Sequence, residues 1–297
     1  MTQQQRQAVD ELLRNGPLDV GGDVTEQRVL FHEMISESPL PDDITTKQGE
    51  LGGVPVVTVE TPATDPSVAV LYLHGGAYVL GSAADSVALA ADVSRRVGAR
   101  AVSVDYRLAP EHPFPAAIDD VVAVYRALLD EGLPNTKIAF VGESAGGGLV
   151  AATLVALKEA TLPQPSSATV FSPWADLTVS GGSAIGKAAV DPALTAEALR
   201  IRARDYLGGL DAATPLASPV FADLTGLPPL LIQVGSHEIL LDDAVRLAAR
   251  AADHDVPVQL QVWPEVPHVF QGFAALLDDA DHALNDAAAF IKRHWLA

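Results

Sequence analysis

Residues 137–149, KIAFVGESAGGGL, restrict the fold more than any other stretch of the chain. Lys137 to Val141 is a short β-branched and aromatic run that reads as a buried strand and ends at Gly142. From Ala145 the small and apolar residues AGGGLVAATLVALKEA predict a helix with almost no loop before it. Between strand and helix lies Gly142-Glu143-Ser144-Ala145-Gly146, a GxSxG pentapeptide. Glycine at both ends removes the Cβ atoms that would collide in so sharp a turn. Ser144 is left at its apex, hydroxyl outward, with a helix N-terminus beneath it. A Gly-Ser-Gly turn is often only a turn, so groups at other strand ends decide what this one means.

The surrounding pattern supplies those strand ends. Strand-like runs are Val54 to Glu60, Val68 to Leu73, Ala101 to Asp105, Lys137 to Val141, Thr169 to Ser172, Leu230 to Val234 and Val258 to Val262. Helix-like runs fall near residues 83–97, 116–131, 145–158, 195–206, 242–253 and 278–294. Strands separated by helix-length segments predict an α/β protein with a mostly parallel sheet and helices on both faces. Ligands then belong beyond the carboxyl ends of the strands. Residues 51–297 are expected to form this one domain. Ahead of it, residues 1–50 hold two apolar-faced helices, Thr2 to Arg14 and Glu26 to Ile35, which either lie across the domain as a helical cap or only brace it. An excursion at about residues 176–226 has no convincing strand and is the candidate for the other half of a cap. Within it, Gly181 to Ala188 (GGSAIGKA) nearly spells a phosphate loop, but no Ser or Thr follows Lys187 and no buried strand precedes it.

Composition narrows the partners. Asp and Glu outnumber Lys and Arg by 38 to 19, a net charge of -19 that disfavours nucleic acid and anionic membrane surfaces. The absence of cysteine excludes disulfides, a thiol nucleophile and thiolate metal sites. With no signal-peptide pattern and no apolar run of membrane-spanning length, a cytoplasmic location is expected.

Two further groups sit at strand ends. His74-Gly75-Gly76-Ala77-Tyr78 follows the apolar run VAVLYL. Its two glycines let the backbone swing amide hydrogens toward a ligand, and with the amide of Ala145 those of Gly75 and Gly76 would form an oxyanion hole. His74 reads as a brace for the loop. The next strand end carries DYRLAPEHPFPAA, residues 105–117, whose charged side chains read as loop ties, with no catalytic role expected for His112.

HGGAY, DYRLAPEHPFPAA and GESAGGG, in this order and at these spacings, resemble the hormone-sensitive-lipase-like branch of the α/β-hydrolases over roughly residues 55–295. Ala77 stands where that family has a third glycine. The resemblance implies the α/β-hydrolase fold, a catalytic acid after the strand that follows the excursion, and a histidine after the last strand. Here PLLIQVG leads into Ser236-His237-Glu238-Ile239-Leu240-Leu241-Asp242-Asp243, where Glu238 and Asp242 occupy the two acidic positions of the family's DxLxD pattern. Glu238 is the expected acid and Asp242 the alternative. The implied histidine is His268, in the proline-bearing loop WPEVPH.

Together these imply a serine carboxylic-ester hydrolase acting through an acyl-enzyme, with no metal and no cofactor. Small apolar or alicyclic esters and lactones are the expected substrates, because the length, excursion and GSHEILLDD segment resemble those of bacterial monoterpene ε-lactone hydrolases. Phe31, Met34, Tyr78, Leu207 and Phe270 are the expected substrate-lining residues. A non-catalytic small-molecule receptor of the same fold, or an acyltransferase or amidase, are the alternatives. A small-molecule substrate is the expected partner, and a homodimer stays open.

Overall fold

The computed structural model describes residues 2–36 and 40–295. The rest of the expected segments 1–50 and 51–297 lies outside the described residues. Eight strands form one sheet: β1 (Thr45–Leu51), β2 (Val54–Glu60), β3 (Asp65–Leu73), β4 (Ala99–Val104), β5 (Ile138–Glu143), β6 (Ser167–Phe171), β7 (Leu230–Gly235) and β8 (Val258–Trp263). Their order is β1-β2-β4-β3-β5-β6-β7-β8. β1 and β2 pair antiparallel, as do β2 and β4, and every later pair is parallel.

Helices cover both faces, and the strand residues show why. In β3, Ala69, Leu71 and Leu73 enter one apolar layer and Val68, Val70 and Tyr72 the other, because side chains alternate along a strand. Full burial of one leucine such as Leu71 contributes about 1.5–3 kcal/mol, and with both faces covered the inner part of β3 reads as a continuous apolar run. On the first layer lie α4 (Ala116–Asp130), α5 (Ala145–Glu159) and α8 (Leu241–Asp253). On the second lie α3 (Val87–Val97) and α9 (Asp278–Trp295). β1 carried no signal of this kind. Its residues TTKQGEL are almost wholly exposed at the sheet edge, so no apolar alternation marks them. The Gly52-Gly53 turn, with φ of 60° and 81°, joins it to β2 as a two-residue hairpin.

Two segments meet over the carboxyl ends of the strands. The amino-terminal one holds α1 (Gln3–Arg14), capped by Thr2, and α2 (Val24–Ser36). The excursion between β6 and β7 holds the short α6 (Ser183–Gly186) and α7 (Ala196–Leu207). Arg14 Nη2 donates to the Val190 carbonyl at 3.2 Å. Arg28 of α2 forks onto Glu111 with two bonds of 2.8 Å and donates to the Val79 and Ala109 carbonyls. The DYRLAPEHPFPAA loop thus carries the α2 helix through Glu111 and the Ala109 carbonyl. Arg107 of the same loop is held by Asp120 of α4.

Candidate active site

The elbow at Ser144 is tight for a reason visible in its neighbours. Ser144 has φ 54° and ψ -123°, a conformation that L residues rarely adopt. A Cβ on Gly146 would lie 2.1 Å from the Leu73 carbonyl oxygen, and one on Gly142 would lie 2.4 Å from that of Gly146. The turn is anchored by the Ser144 N–H to the Phe171 carbonyl (2.8 Å) and by the Trp174 N–H to the Ser144 carbonyl (2.9 Å). Only with glycine at both ends can β5 enter α5 this abruptly.

Three loops bring side chains to this point. The Ser144 hydroxyl lies 2.9 Å from His268 Nε2, and His268 Nδ1 lies 2.8 Å from Glu238 Oε2. A carboxylate offers only lone pairs, so Nδ1 carries the hydrogen and Nε2 turns its lone pair to the serine. Glu238 is fully buried and its other oxygen accepts from the Gly235 N–H (2.6 Å) and the Ser172 hydroxyl (2.8 Å). Asp242 does not reach the imidazole. Its carboxylate accepts the Ser183 N–H at 2.9 Å. Burial works against charge on His268, but Glu238, Asp191 and Glu143 outweigh it, so the imidazole pKa lies above its ordinary value.

Ser172 had no signal in the sequence. It follows β6 directly with φ 47°, donates to Glu238, and accepts the Val269 N–H at 3.0 Å, tying Glu238 to the histidine loop. Hydroxyl-to-backbone ties of this kind involve a common residue type and leave no spacing pattern.

The glycine loop lies beside the serine. A Cβ on Gly75 would sit 3.2 Å from the Ser144 Cβ. The Gly75 N–H faces Glu143 Oε1 at 3.4 Å, which also accepts from the Ser86 hydroxyl at 3.1 Å. Gly76 adopts φ 110°, closed to a side chain because a Cβ would strike the Leu80 carbonyl at 2.2 Å. Ala145 opens α5, and the helix itself leaves its N–H without a partner. His74 stacks on Tyr106 with ring centroids 4.1 Å apart, and its Nδ1 bonds the Gly75 carbonyl at 2.7 Å. It braces the loop.

The expected lining residues fall in different places. Tyr78 is buried, stacked on Tyr206 of α7 at 3.9 Å. Phe31 packs on Gly81, just past the glycine loop, and Met34 is 38% exposed on α2. Leu207 borders a cavity of about 530 Å³ beside α7 that includes none of Ser144, Glu238 and His268. Phe270 is buried against Trp263 and α9, behind the histidine loop. Among the described residues no cluster of His, Asp or Glu could hold a metal ion, and no helix is long and apolar enough to cross a membrane.

Comparison with known proteins identifies the family. Residues 70–272 match the model of an alpha/beta hydrolase fold family. An acetyl-hydrolase from Streptomyces hygroscopicus is 44% identical over 231 residues, covering 78% of this chain and 77% of the relative. The chain belongs to the hormone-sensitive-lipase-like branch of the α/β-hydrolases. An esterase from Acinetobacter venetianus is 40% identical over 222 residues, 74% of this α/β-hydrolase and 73% of the relative. Across the whole branch member, the solved structure of an esterase from the bacterial hormone-sensitive lipase family superposes with a TM-score of 0.96 at 40% identity, covering 99% of each chain.

Proposed function

We propose that this α/β-hydrolase cleaves small apolar or alicyclic esters and lactones through an acyl-enzyme on Ser144, with His268 as general base and Glu238 as its orienting acid. The chain is a carboxylic ester hydrolase, in keeping with relatives that are acetyl-hydrolases and esterases. The observation that carries the mechanism is the continuous relay from Ser144 Oγ through the imidazole to Glu238, at 2.9 and 2.8 Å.

His268 Nε2 takes the serine proton as Oγ attacks the ester carbonyl carbon. Glu238 holds the imidazolium that forms, without itself being protonated. The carbonyl oxygen, now negative, falls to amides at the helix N-terminus and the glycine loop. The amides of Gly75, Gly76 and Ala145 are the donors, the Gly75 N–H keeping only a long 3.4 Å contact to Glu143. His268 returns the proton to the departing alcohol, and water then repeats the sequence on the acyl carbon. In a lactone the departing alcohol stays attached, so one hydroxy acid leaves.

Short acyl groups are favoured by the company the chain keeps: one relative, from Pseudomonas putida, is an ethyl acetate hydrolase at 30% identity. The test is a hydrolysis panel of aryl acetates, long acyl esters and seven-membered lactones, run on the wild type and on Ser144→Ala. The expected outcome is turnover of the acetates and lactones by the wild type alone, with the variant lower by about 10³-fold or more. Substantial turnover by Ser144→Ala would remove the acyl-enzyme.

A further inference from the structure

The turn that carries Glu238 depends on the excursion for its backbone bonds. The Ile239 N–H, immediately after Glu238, donates to Asp191 Oδ2 at 2.7 Å. The Ile239 carbonyl accepts the Ser183 hydroxyl at 2.6 Å, and that hydroxyl in turn accepts the Asp242 N–H at 2.9 Å. Both peptide groups flanking Ile239 are therefore held by side chains from the segment between β6 and β7. Asp191 is itself set rigidly: only 6% exposed, its other oxygen accepts the N–H groups of Ala193 (2.8 Å) and Leu194 (2.9 Å). A carboxylate with three amide donors has one rotamer that satisfies them all.

The geometry points to Asp191 as a positioning residue of the reaction, holding the turn that presents Glu238 to His268. This rests on the triad reading above. The charges facing His268 are Glu238, Asp191 and Glu143, and all three favour its protonated form against the opposing effect of burial. The charge facing Asp191 from the amino-terminal segment is Arg14, whose guanidinium also bonds the neighbouring Val190 carbonyl. Burial favours the neutral form of the Asp191 carboxyl and pushes its pKa up, partly offset by the amide donors and His268, so the carboxyl is sensitive to its surroundings.

Asn at this site loses the charge and offers an NH₂ where one of the three amide donors needs an acceptor. Ser keeps a short acceptor for the local turn but cannot reach Ile239. Both variants should be assayed per active site, titrated with a fluorophosphonate, so that misfolded molecules lower the site count and not the measured kcat. The expected result is a fall in kcat of roughly tenfold or more for Asp191→Asn and Asp191→Ser, with KM little changed. The acid limb of kcat/KM should also move to lower pH, since one of the charges raising the imidazole pKa is gone. Ser183→Ala, which loosens the same turn without removing a charge, should leave that limb in place. If titrated Asp191 variants keep kcat within about twofold and the acid limb stays where it was, Asp191 is structural only. If Glu238→Gln also keeps wild-type turnover, the triad reading is what has failed.

Discussion

At the scale of single residues, the acid of the relay shows what spacing could and could not resolve. Glu238 and Asp242 both fit the acidic pattern after β7. Only folding shows that Asp242 turns to the Ser183 N–H while Glu238 meets the imidazole. Glu238→Gln should therefore lower kcat by about 10³–10⁴-fold. Asp242→Asn should leave it within about threefold, because an amide oxygen still accepts the Ser183 N–H. Steady-state kinetics across pH checks both. As the proposed base, His268 must be neutral to act, and its pKa is raised, so wild-type turnover should fail at a higher pH on the acid side than an ordinary imidazole would allow. The residual activity of Glu238→Gln should persist to lower pH. Stability linkage runs the other way. A raised folded pKa contributes stability that is fully present below the unfolded imidazole's pKa and disappears as pH climbs through the folded one.

At the scale of elements, the parts legible beforehand were those whose local pattern has a single solution. The β5 to α5 elbow is one: strand run, two glycines and a helix of small residues leave no other geometry. Gly146→Ala should accordingly destabilise the fold by roughly 3 kcal/mol or more, since its methyl would meet the Leu73 and His74 carbonyl oxygens at 2.1 and 2.3 Å. Gly186→Ala faces open space and should stay within about 1 kcal/mol of wild type. Urea unfolding followed by circular dichroism compares the two. β1 was illegible because an exposed edge strand needs no apolar face, although the Gly52-Gly53 pair ahead of β2 was a hairpin signal within reach. The lining residues depend on something else. Which side of α2 or α7 faces the serine depends on packing between segments far apart in the chain, and no local periodicity records it.

At the scale of the whole molecule, the excursion has two parts with different attachments. Up to residue 194 it is fastened to the Glu238 turn by Asp191 and Ser183. Beyond that point α7 is tied elsewhere, by the Tyr206 carbonyl to the Phe114 N–H at 2.7 Å and by the Tyr206 ring to Tyr78. The difference tells a protein engineer where to cut. Chimeras that import α7 from a related esterase, spliced at 195 and again at 212, should keep wild-type turnover of a small acetate while changing the preference among bulkier esters. Splices within 183–191 should cost turnover on every ester alike, because they would sever the bonds that hold the turn carrying Glu238.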